Sequence, residues 1–346
     1  MNRPGTFPRK NRQAGQGAWD RRILFALVSL SLAMALASLG SSIANVALPT
    51  LMQAFNAPFQ AAQWVVLAYL LATTTLIVSV GRLGDIIDRR RLLLAGLVLF
   101  AIASLLCGAA PTLPLLIAAR AVQGVGAAIL MTLTLALASE IAPRTMTGRA
   151  VGLLGTASAI GTALGPSLGG VLIAGFGWRA IFLVNVPLAL VALGLAWRWL
   201  PVTPRAGAAT PRFDLPGTFV LALTLGAYAL AMTIGRGHVG VLNLALLAAA
   251  AAGLALFLVT EAHAAFPVMP LRMFHDPALR SGLALSALVS TVMMTTLVVG
   301  PFYLSRALGL APASVGIVMS VGPVIVALSG LPAGRLVDHL GTTRMV

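Results

Sequence analysis

Long runs of uncharged, apolar residues constrain this chain more than any other feature of its sequence. A transmembrane helix needs ~20 apolar residues to cross ~30 Å of hydrocarbon, and run after run reaches that length. The runs are much longer than the strands of a membrane barrel, and polar and apolar residues do not alternate within them. Because only helices and closed barrels satisfy backbone hydrogen bonds in lipid, the sequence predicts an all-α polytopic membrane protein.

Ten spans follow from this length criterion. Charged residues make up only 9% of the 346 residues, against roughly 25% in globular domains, which excludes a soluble fold. Two longer polar links, 199–214 and 261–280, divide the spans into groups of six, two and two. The predicted spans are 23–47, 62–81, 92–110, 113–138, 150–175, 180–198, 215–235, 240–260, 281–304 and 313–333.

The distribution of arginine and lysine predicts the orientation in the membrane. With a cytoplasmic N-terminal tail, residues 1–22, nineteen of the 23 basic residues fall in cytoplasmic segments. Three, Arg179, Arg236 and Arg306, fall outside, and Arg120 lies within a span. Cytoplasmic loops carry such an excess, so we expect a multi-pass protein of the inner (plasma) membrane with its N-terminus in the cytoplasm.

Other function classes lack the residues that they need. The net charge of +15 could indicate nucleic-acid binding, but the arginines occupy short loops and form no basic face with interleaved aromatic residues. The one cysteine and four histidines show no metal-ligand spacing, and no catalytic constellation or dinucleotide fingerprint occurs. We predict no enzyme activity, metal, cofactor or nucleic-acid partner, with a polytopic membrane enzyme as the alternative.

Residues 81–91 pack two acids, Asp85 and Asp88, and four arginines between two apolar runs. This pattern predicts a tight cytoplasmic turn between two spans. The motif Gly-Arg-Leu-x-Asp recurs at 334–338, and duplicated halves are common in transporters. Either the charges only fix the topology, or acids and arginines exchange partners as helices move.

Arg120 is the charge that lies well inside a predicted span, and Gln123 follows one turn later on the same side. An arginine at the centre of a membrane helix costs ~2.5–3.5 kcal/mol on insertion scales. Such a residue usually faces a polar cavity and has a partner. The alternative is that Arg120 snorkels to the outer surface.

The fifth span carries Ala157, Gly161, Gly165 and Gly169 at steps of four, so small residues form one line along the helix. Pro166 interrupts the backbone hydrogen bonds in the middle of that line. This pattern indicates either close helix packing or a bend in a moving helix.

The first span has a polar face of its own, because Ser38, Ser42 and Asn45 follow a 3–4 spacing. These side chains are expected either to line a path or to bond to a neighbouring helix.

Five segments together resemble the major facilitator superfamily, in particular its fourteen-helix drug:proton antiporter branch of the multidrug resistance type. Residues 81–91 are similar to the signature between the second and third spans, 116–128 to that of the fourth span, and 161–170 to the antiporter signature of the fifth. Residues 42–49 and 178–187 resemble further hallmarks of this branch. The five occur in the expected order, each on the expected span.

The resemblance implies alternating access between two six-helix halves, with two extra helices between them. It divides the chain into the tail 1–22, a six-helix bundle 23–198, a linker 199–214, an inserted pair 215–260, a linker 261–280, and two helices of an incomplete bundle, 281–346. Because the sequence stops just after the tenth span, we expect a C-terminally incomplete chain.

The resemblance also implies roles for the singled-out residues. It assigns Arg120, Gln123 and Gly124 to proton coupling, and the antiport helix to Gly161, Gly165, Pro166, Gly169 and Gly170. A conformational latch is implied for Gly81, Arg82, Asp85, Arg89, Arg90 and Asp338.

The predicted function is proton-coupled efflux of small hydrophobic or amphipathic compounds, with the substrate, protons and the lipid bilayer as partners. Proton-driven exporters commonly embed a carboxylate, and all eight acids here fall at span ends or in loops. Uncoupled transport, or transport of one specific metabolite, is therefore an alternative. A truncated, non-transporting remnant is another.

Overall fold

The structure is a computed structural model that describes residues 21–143, 146–201, 215–234, 240–263 and 275–310, with isolated positions between 314 and 329. Throughout this described part the secondary structure is helical. The α-helices are α1 Arg21–Ala54, α2 Phe59–Ile86, α3 Arg89–Ala109, α4 Leu113–Ile141, α5 Thr147–Phe176, α6 Ala180–Leu183, α7 Asn185–Trp199, α8 Leu215–Thr233, α9 Val241–His263 and α10 Pro277–Phe302, followed by a π-helical turn, Tyr303–Ala307.

Eight segments within the described residues are long and apolar enough to cross a membrane. They match the first eight predicted spans, and α6 and α7 run together as the single span Ala180–Trp199. Helix α10 covers most of the predicted ninth span with the apolar stretch Leu279–Met293. Most of the tenth, 313–333, lies outside the described residues. The predicted all-α polytopic fold is confirmed.

Two predicted helix ends are wrong. Helix α1 continues through Pro49 to Ala54, although the predicted span ends at residue 47. Helix α2 continues to Ile86, so residues 81–86 belong to a helix and not to a turn. The connection between α2 and α3 consists of Ile87 and Asp88 alone. The Asp88 side chain accepts a hydrogen bond from Arg91 N at 2.8 Å and so caps the N-terminus of α3, which begins at Arg89.

Helices α1 to α7 pack into one bundle. The closest pairs are α1 with α5, α2 with α4 and α3 with α4, and α7 packs against both α1 and α3. A core cluster that includes Leu30, Leu93 and Leu130 fills one region, and a second cluster gathers around Trp178 and Phe182. This arrangement surrounds the middle of α4 with α1, α2 and α3.

Helices α8 and α9 form a hairpin whose α8 packs against α2. Asn243 joins the two helices, since its Nδ2 donates to the Ala231 oxygen at 2.7 Å and to the Ile234 oxygen at 2.5 Å. Ser79 Oγ and Thr218 Oγ lie 2.6 Å apart and link α2 to α8. The hairpin is thereby attached to the bundle through the packing of α8 on α2 and the buried Ser79–Thr218 hydrogen bond.

Candidate functional site

The side chain of Arg120 is completely buried, at 0% exposure, in the middle of the bundle. It points inward from α4 towards α1 and α2, so the snorkelling interpretation is wrong for this structure. An arginine that stays charged in such a place needs acceptors for its five N–H groups. The surroundings of this guanidinium therefore define the candidate site.

Three neutral acceptors hold the guanidinium of Arg120. Nε donates to the Val65 carbonyl oxygen of α2 at 2.9 Å, and Nη2 donates to the Gly40 carbonyl oxygen of α1 at 3.0 Å. Nη1 donates to Gln123 Oε1 at 2.5 Å, one turn along α4. The positive charge thus joins three helices through dipoles, and each of these described partners is uncharged.

An aromatic ring covers the same guanidinium. Arg120 Cζ lies 4.1 Å from the centroid of the Tyr69 ring and 5.8 Å from that of Phe182. The Tyr69 hydroxyl donates to the Ala37 carbonyl oxygen at 2.6 Å, which fixes the ring on α1. A cation–π contact is worth ~2 kcal/mol when it is desolvated. Sequence reasoning missed Tyr69; its signal was a hydroxyl inside an apolar run, where it needs a partner.

Gln123 extends the network to α3. Its Nε2 donates to Ser104 Oγ at 2.7 Å, and Ser104 Oγ donates to the Phe100 carbonyl oxygen at 2.6 Å. The thiol of Cys107 lies 4.0 Å from Gln123 Oε1. Gln123 thus connects the arginine by hydrogen bonds to a fourth helix, α3, and it fixes the direction of the Nη1 donor of Arg120.

Gly124 sets the spacing between α2 and α4 beside the arginine. A Cβ atom at this position would lie 2.5 Å from the Tyr69 carbonyl oxygen and 2.9 Å from Ala72 Cβ. Thr73 Oγ crosses the same contact, 2.8 Å from the Tyr69 oxygen and 3.1 Å from the Gly124 oxygen. Only glycine permits this approach, which brings Val65 within reach of Arg120.

The glycines of α5 form the contact with α1. A Cβ at Gly161 would overlap the backbone of Ala35, and one at Gly165 would overlap Ser42 Oγ. At Gly169 it would lie 3.1 Å from Ile43 Cγ1, whereas nothing lies within 4 Å at Gly170. Helix α5 is continuous through Pro166. The line of small residues thus contacts α1, as close packing requires, and Gly170 points away from it.

The three residues predicted to line a path differ in their burial: Ser38 and Ser42 are buried, and Asn45 is exposed. Ser38 and Ser42 are buried, at 2% and 7% exposure. Ser38 Oγ lies 2.7 Å from Ser158 Oγ, and Ser42 Oγ donates weakly to the Gly161 oxygen at 3.4 Å, so both belong to the α1–α5 contact. For these two serines, bonding to a neighbouring helix replaces path lining. Asn45 is exposed, and its Nδ2 donates weakly to the Ser41 oxygen of its own helix at 3.5 Å.

The charged residues around the α2–α3 connection fasten it to α4 and α7. Arg89 Nη1 lies 3.4 Å from Glu140 Oε2 on α4, and Arg90 Nη2 donates to the Trp197 oxygen on α7 at 2.5 Å. Gly81 and Gly84 lie on the face of α2 that packs against α4.

Of the other predicted latch residues, Arg82 and Asp85 lie in the last turns of α2, and Asp338 falls outside the described residues. Through the described ranges, no group of His, Cys, Asp or Glu could hold a metal ion. The centre of the site is therefore a cation held by dipoles and an aromatic face.

Comparison with known sequences identifies relatives over nearly the whole chain. The sequence model of the Major Facilitator Superfamily matches residues 30–346. The multidrug resistance protein Stp of Mycobacterium tuberculosis is 33% identical over 325 residues, which cover 93% of this chain and 60% of that protein. The riboflavin transporter RibZ of Clostridioides difficile is 32% identical over 323 residues, or 92% of this chain and 69% of that protein.

The drug efflux pump JefA of Mycobacterium tuberculosis is 34% identical over 305 residues, 87% of this chain and 59% of that pump. The chain thus spans about three fifths of the length of Stp and JefA. Among solved structures, the proton:xylose symporter XylE superposes with a TM-score of 0.58 at 19% identity, covering 92% of this chain and 69% of that one. At this identity the likeness shows the fold alone.

Proposed function

The chain belongs to the Major Facilitator Superfamily, a family of membrane transporters, and on that premise we propose that it exports small hydrophobic or amphipathic compounds in exchange for protons. The observation that carries the proposal is the buried Arg120, held between α1, α2 and α4. Relatives named as a multidrug resistance protein and a drug efflux pump support the substrate class. The family and its fold also argue against an enzyme.

Arg120 acts through its permanent positive charge, because a guanidinium does not lose its proton in a protein. In the low dielectric of the bundle this charge repels a second cation nearby. The binding of a proton beside α1 and α4 therefore weakens the binding of a cationic substrate there, and the binding of the substrate weakens that of the proton. Exchange requires such mutual exclusion. Burying the arginine costs ~2.5–3.5 kcal/mol, and this is the energetic cost of the mutual exclusion.

Movement of the bundle changes the surroundings of that charge. The Gly40 and Val65 oxygens belong to α1 and α2, so a shift of either helix against α4 breaks one hydrogen bond of Arg120. Helices α1 and α5 move together across the Gly161–Gly165 contact. The connection between α2 and α3, with Asp85 and the neighbouring arginines, serves as the latch that holds one of the two states.

Proteoliposomes test this function. We expect purified protein to accumulate a lipophilic fluorescent cation only when a proton gradient is imposed, and Arg120→Ala to abolish accumulation. The matched control is Arg179→Ala, because Arg179 is an exposed arginine that stacks on Trp178 with its Cζ 4.4 Å from the ring. Accumulation by wild-type protein after the gradient is collapsed would contradict the coupling.

A specific-metabolite transporter is the second candidate, and the 32% identity with the riboflavin transporter RibZ favours it. The two candidates differ in substrate range. Transport of riboflavin without transport of unrelated lipophilic cations supports the second candidate, whereas transport of several chemically unrelated compounds supports the first.

The architecture that we propose has fourteen spans in the inner membrane, with a cytoplasmic N-terminus and the α8–α9 hairpin inserted between two six-helix halves. Attachment of α8 to α2 through Ser79 and Thr218 supports a separate hairpin outside the first half. The coding sequence past Val346 tests this architecture. Four further apolar runs of ~20 residues support it, and an immediate stop codon contradicts it.

A further inference from the structure

A group of arginines and tryptophans lies where α1 begins and α7 ends, away from the Arg120 site. The stacked rings of Phe25 and Trp199, 4.8 Å apart between centroids, bring the two helix ends together. Arg198 Cζ lies 4.9 Å from the Trp199 ring. We name this group the α1–α7 basic corner, and it consists of Arg21, Arg22, Phe25, Trp197, Arg198 and Trp199.

The corner is an exposed concentration of positive charge. Arg21, Arg22 and Arg198 are exposed, and Arg90 joins them from α3 through its bond to the Trp197 oxygen. The two carboxylates that contact the start of α3 are engaged with α3 itself and with Arg89. Asp88 caps α3, and Glu140 lies 3.4 Å from Arg89. The corner therefore presents guanidinium groups that attract an anion.

Exposed apolar side chains accompany the arginines on both α1 and α7. Trp197 is 70% exposed, and Leu24 and Val28 of α1 are each 42% exposed. Tryptophan is enriched at the level of lipid headgroups, and arginine binds phosphate through two parallel hydrogen bonds. A ligand with a phosphate group beside an apolar tail matches this arrangement of arginines and exposed apolar side chains. A free phosphate would use only the arginines.

We infer that the α1–α7 basic corner binds the headgroup of an anionic phospholipid, with the acyl chains lying along Leu24, Val28 and Trp197. The inference is independent of the proposed transport function, since it needs only that the chain lies in a bilayer. The headgroup phosphate accepts hydrogen bonds from Arg22 and Arg198, and the ring of Trp197 lies at the level of the glycerol. Such a lipid would join α1 to α7.

Tryptophan fluorescence tests the inference directly. Purified protein in micelles is titrated with brominated phosphatidylglycerol and, separately, with brominated phosphatidylcholine, because bromine quenches a tryptophan that it contacts. We expect the anionic lipid to quench at lower concentration, and Trp197→Phe to remove most of this difference. Equal quenching by the two lipids overturns the proposal.

Substitutions identify the charges responsible. In R22Q/R198Q the preference for the anionic lipid should fall by about fivefold for each arginine removed. R22K/R198K should keep it, which separates lost charge from lost folding. The control Arg179→Gln removes an arginine stacked on a tryptophan on the opposite side of the bundle, and it should leave the preference unchanged. A preference that survives in R22Q/R198Q contradicts the proposal.

Two further measurements of the lipid preference use wild-type protein. Raising the salt to 1 M shortens the screening length to ~3 Å and should weaken the preference of wild-type protein. Soluble glycerol phosphate at millimolar concentration should not displace the lipid, because it lacks the chains. A preference unchanged by salt, or full displacement by glycerol phosphate, would overturn a phospholipid site.

Discussion

Gly124→Ala tests whether the contact between α2 and α4 positions the buried arginine. The added Cβ would lie 2.5 Å from the Tyr69 carbonyl oxygen, and ordinary contact begins near ~3.5 Å, so the helices must separate by ~1 Å. The Arg120 Nε–Val65 hydrogen bond is 2.9 Å long, and the same separation takes it beyond the ~3.2 Å limit.

The free energy of unfolding should fall by ~2–4 kcal/mol in this variant. Overpacking costs ~1–3 kcal/mol, and a hydrogen bond of a charged group contributes ~1.5–3 kcal/mol. These two terms share one cause, so they do not add in full. At ~2 °C per kcal/mol the melting temperature should fall by roughly 4–8 °C. Export should slow by about tenfold or more, the equivalent of ~1.4 kcal/mol in the barrier.

The single cysteine provides the assay. Cys107 is buried at 0% exposure, so a thiol-reactive fluorogenic dye labels it only as the bundle opens on heating. The matched control is Gly155→Ala, because nothing lies within 4 Å of a Cβ there. That variant should be neutral or gain up to ~1 kcal/mol from helix propensity. If Gly124→Ala melts and exports as the control does, the contact does not position Arg120.

Three further predictions use the same melting assay. Gly165→Ala should lose ~1–3 kcal/mol by overlap with α1, whereas Gly170→Ala should not; equal melting would contradict the packing of α5. Tyr69→Leu should lose ~2 kcal/mol more than Tyr69→Phe, which keeps the ring over the guanidinium, and equal losses would rule out the cation–π contact. Asp88→Ala should lose ~0.5–2 kcal/mol and Asp88→Asn much less, since asparagine also caps a helix; equal losses would argue against the cap.

The helical fold could be predicted because lipid leaves an apolar run few alternatives. Helix ends could not be predicted from charge and proline alone. Residues 81–86 continue α2, and Pro49 lies within α1. Helix α2 ends where Ile87 becomes extended, and Asp88 then begins α3 by capping its N-terminus. The composition of a run thus indicates which residues lie in the hydrocarbon, and the backbone conformation beyond the run, such as that of Ile87, decides where the helix ends.

The centre of the site was visible in the sequence because a lone charge in an apolar run stands out, as Arg120 does. Its partners were not visible. Tyr69 resembles any core aromatic residue until the fold brings α2 against α4. Ser38 and Ser42 share a helical face, but the spacing does not say whether that face meets a path or α5. Contacts between helices distant in sequence decide both cases.

Proton movement driven by substrate tests the central claim most directly. Proteoliposomes that hold a pH-sensitive dye receive an outward substrate gradient and no imposed pH gradient, and the internal pH is followed. Exchange predicts that wild-type protein moves protons inward as substrate leaves, and that Arg120→Ala, with its folding verified by Cys107 labelling, moves none. Substrate efflux without any proton movement in wild-type protein, or unchanged proton movement in Arg120→Ala, would contradict the role given to the buried arginine.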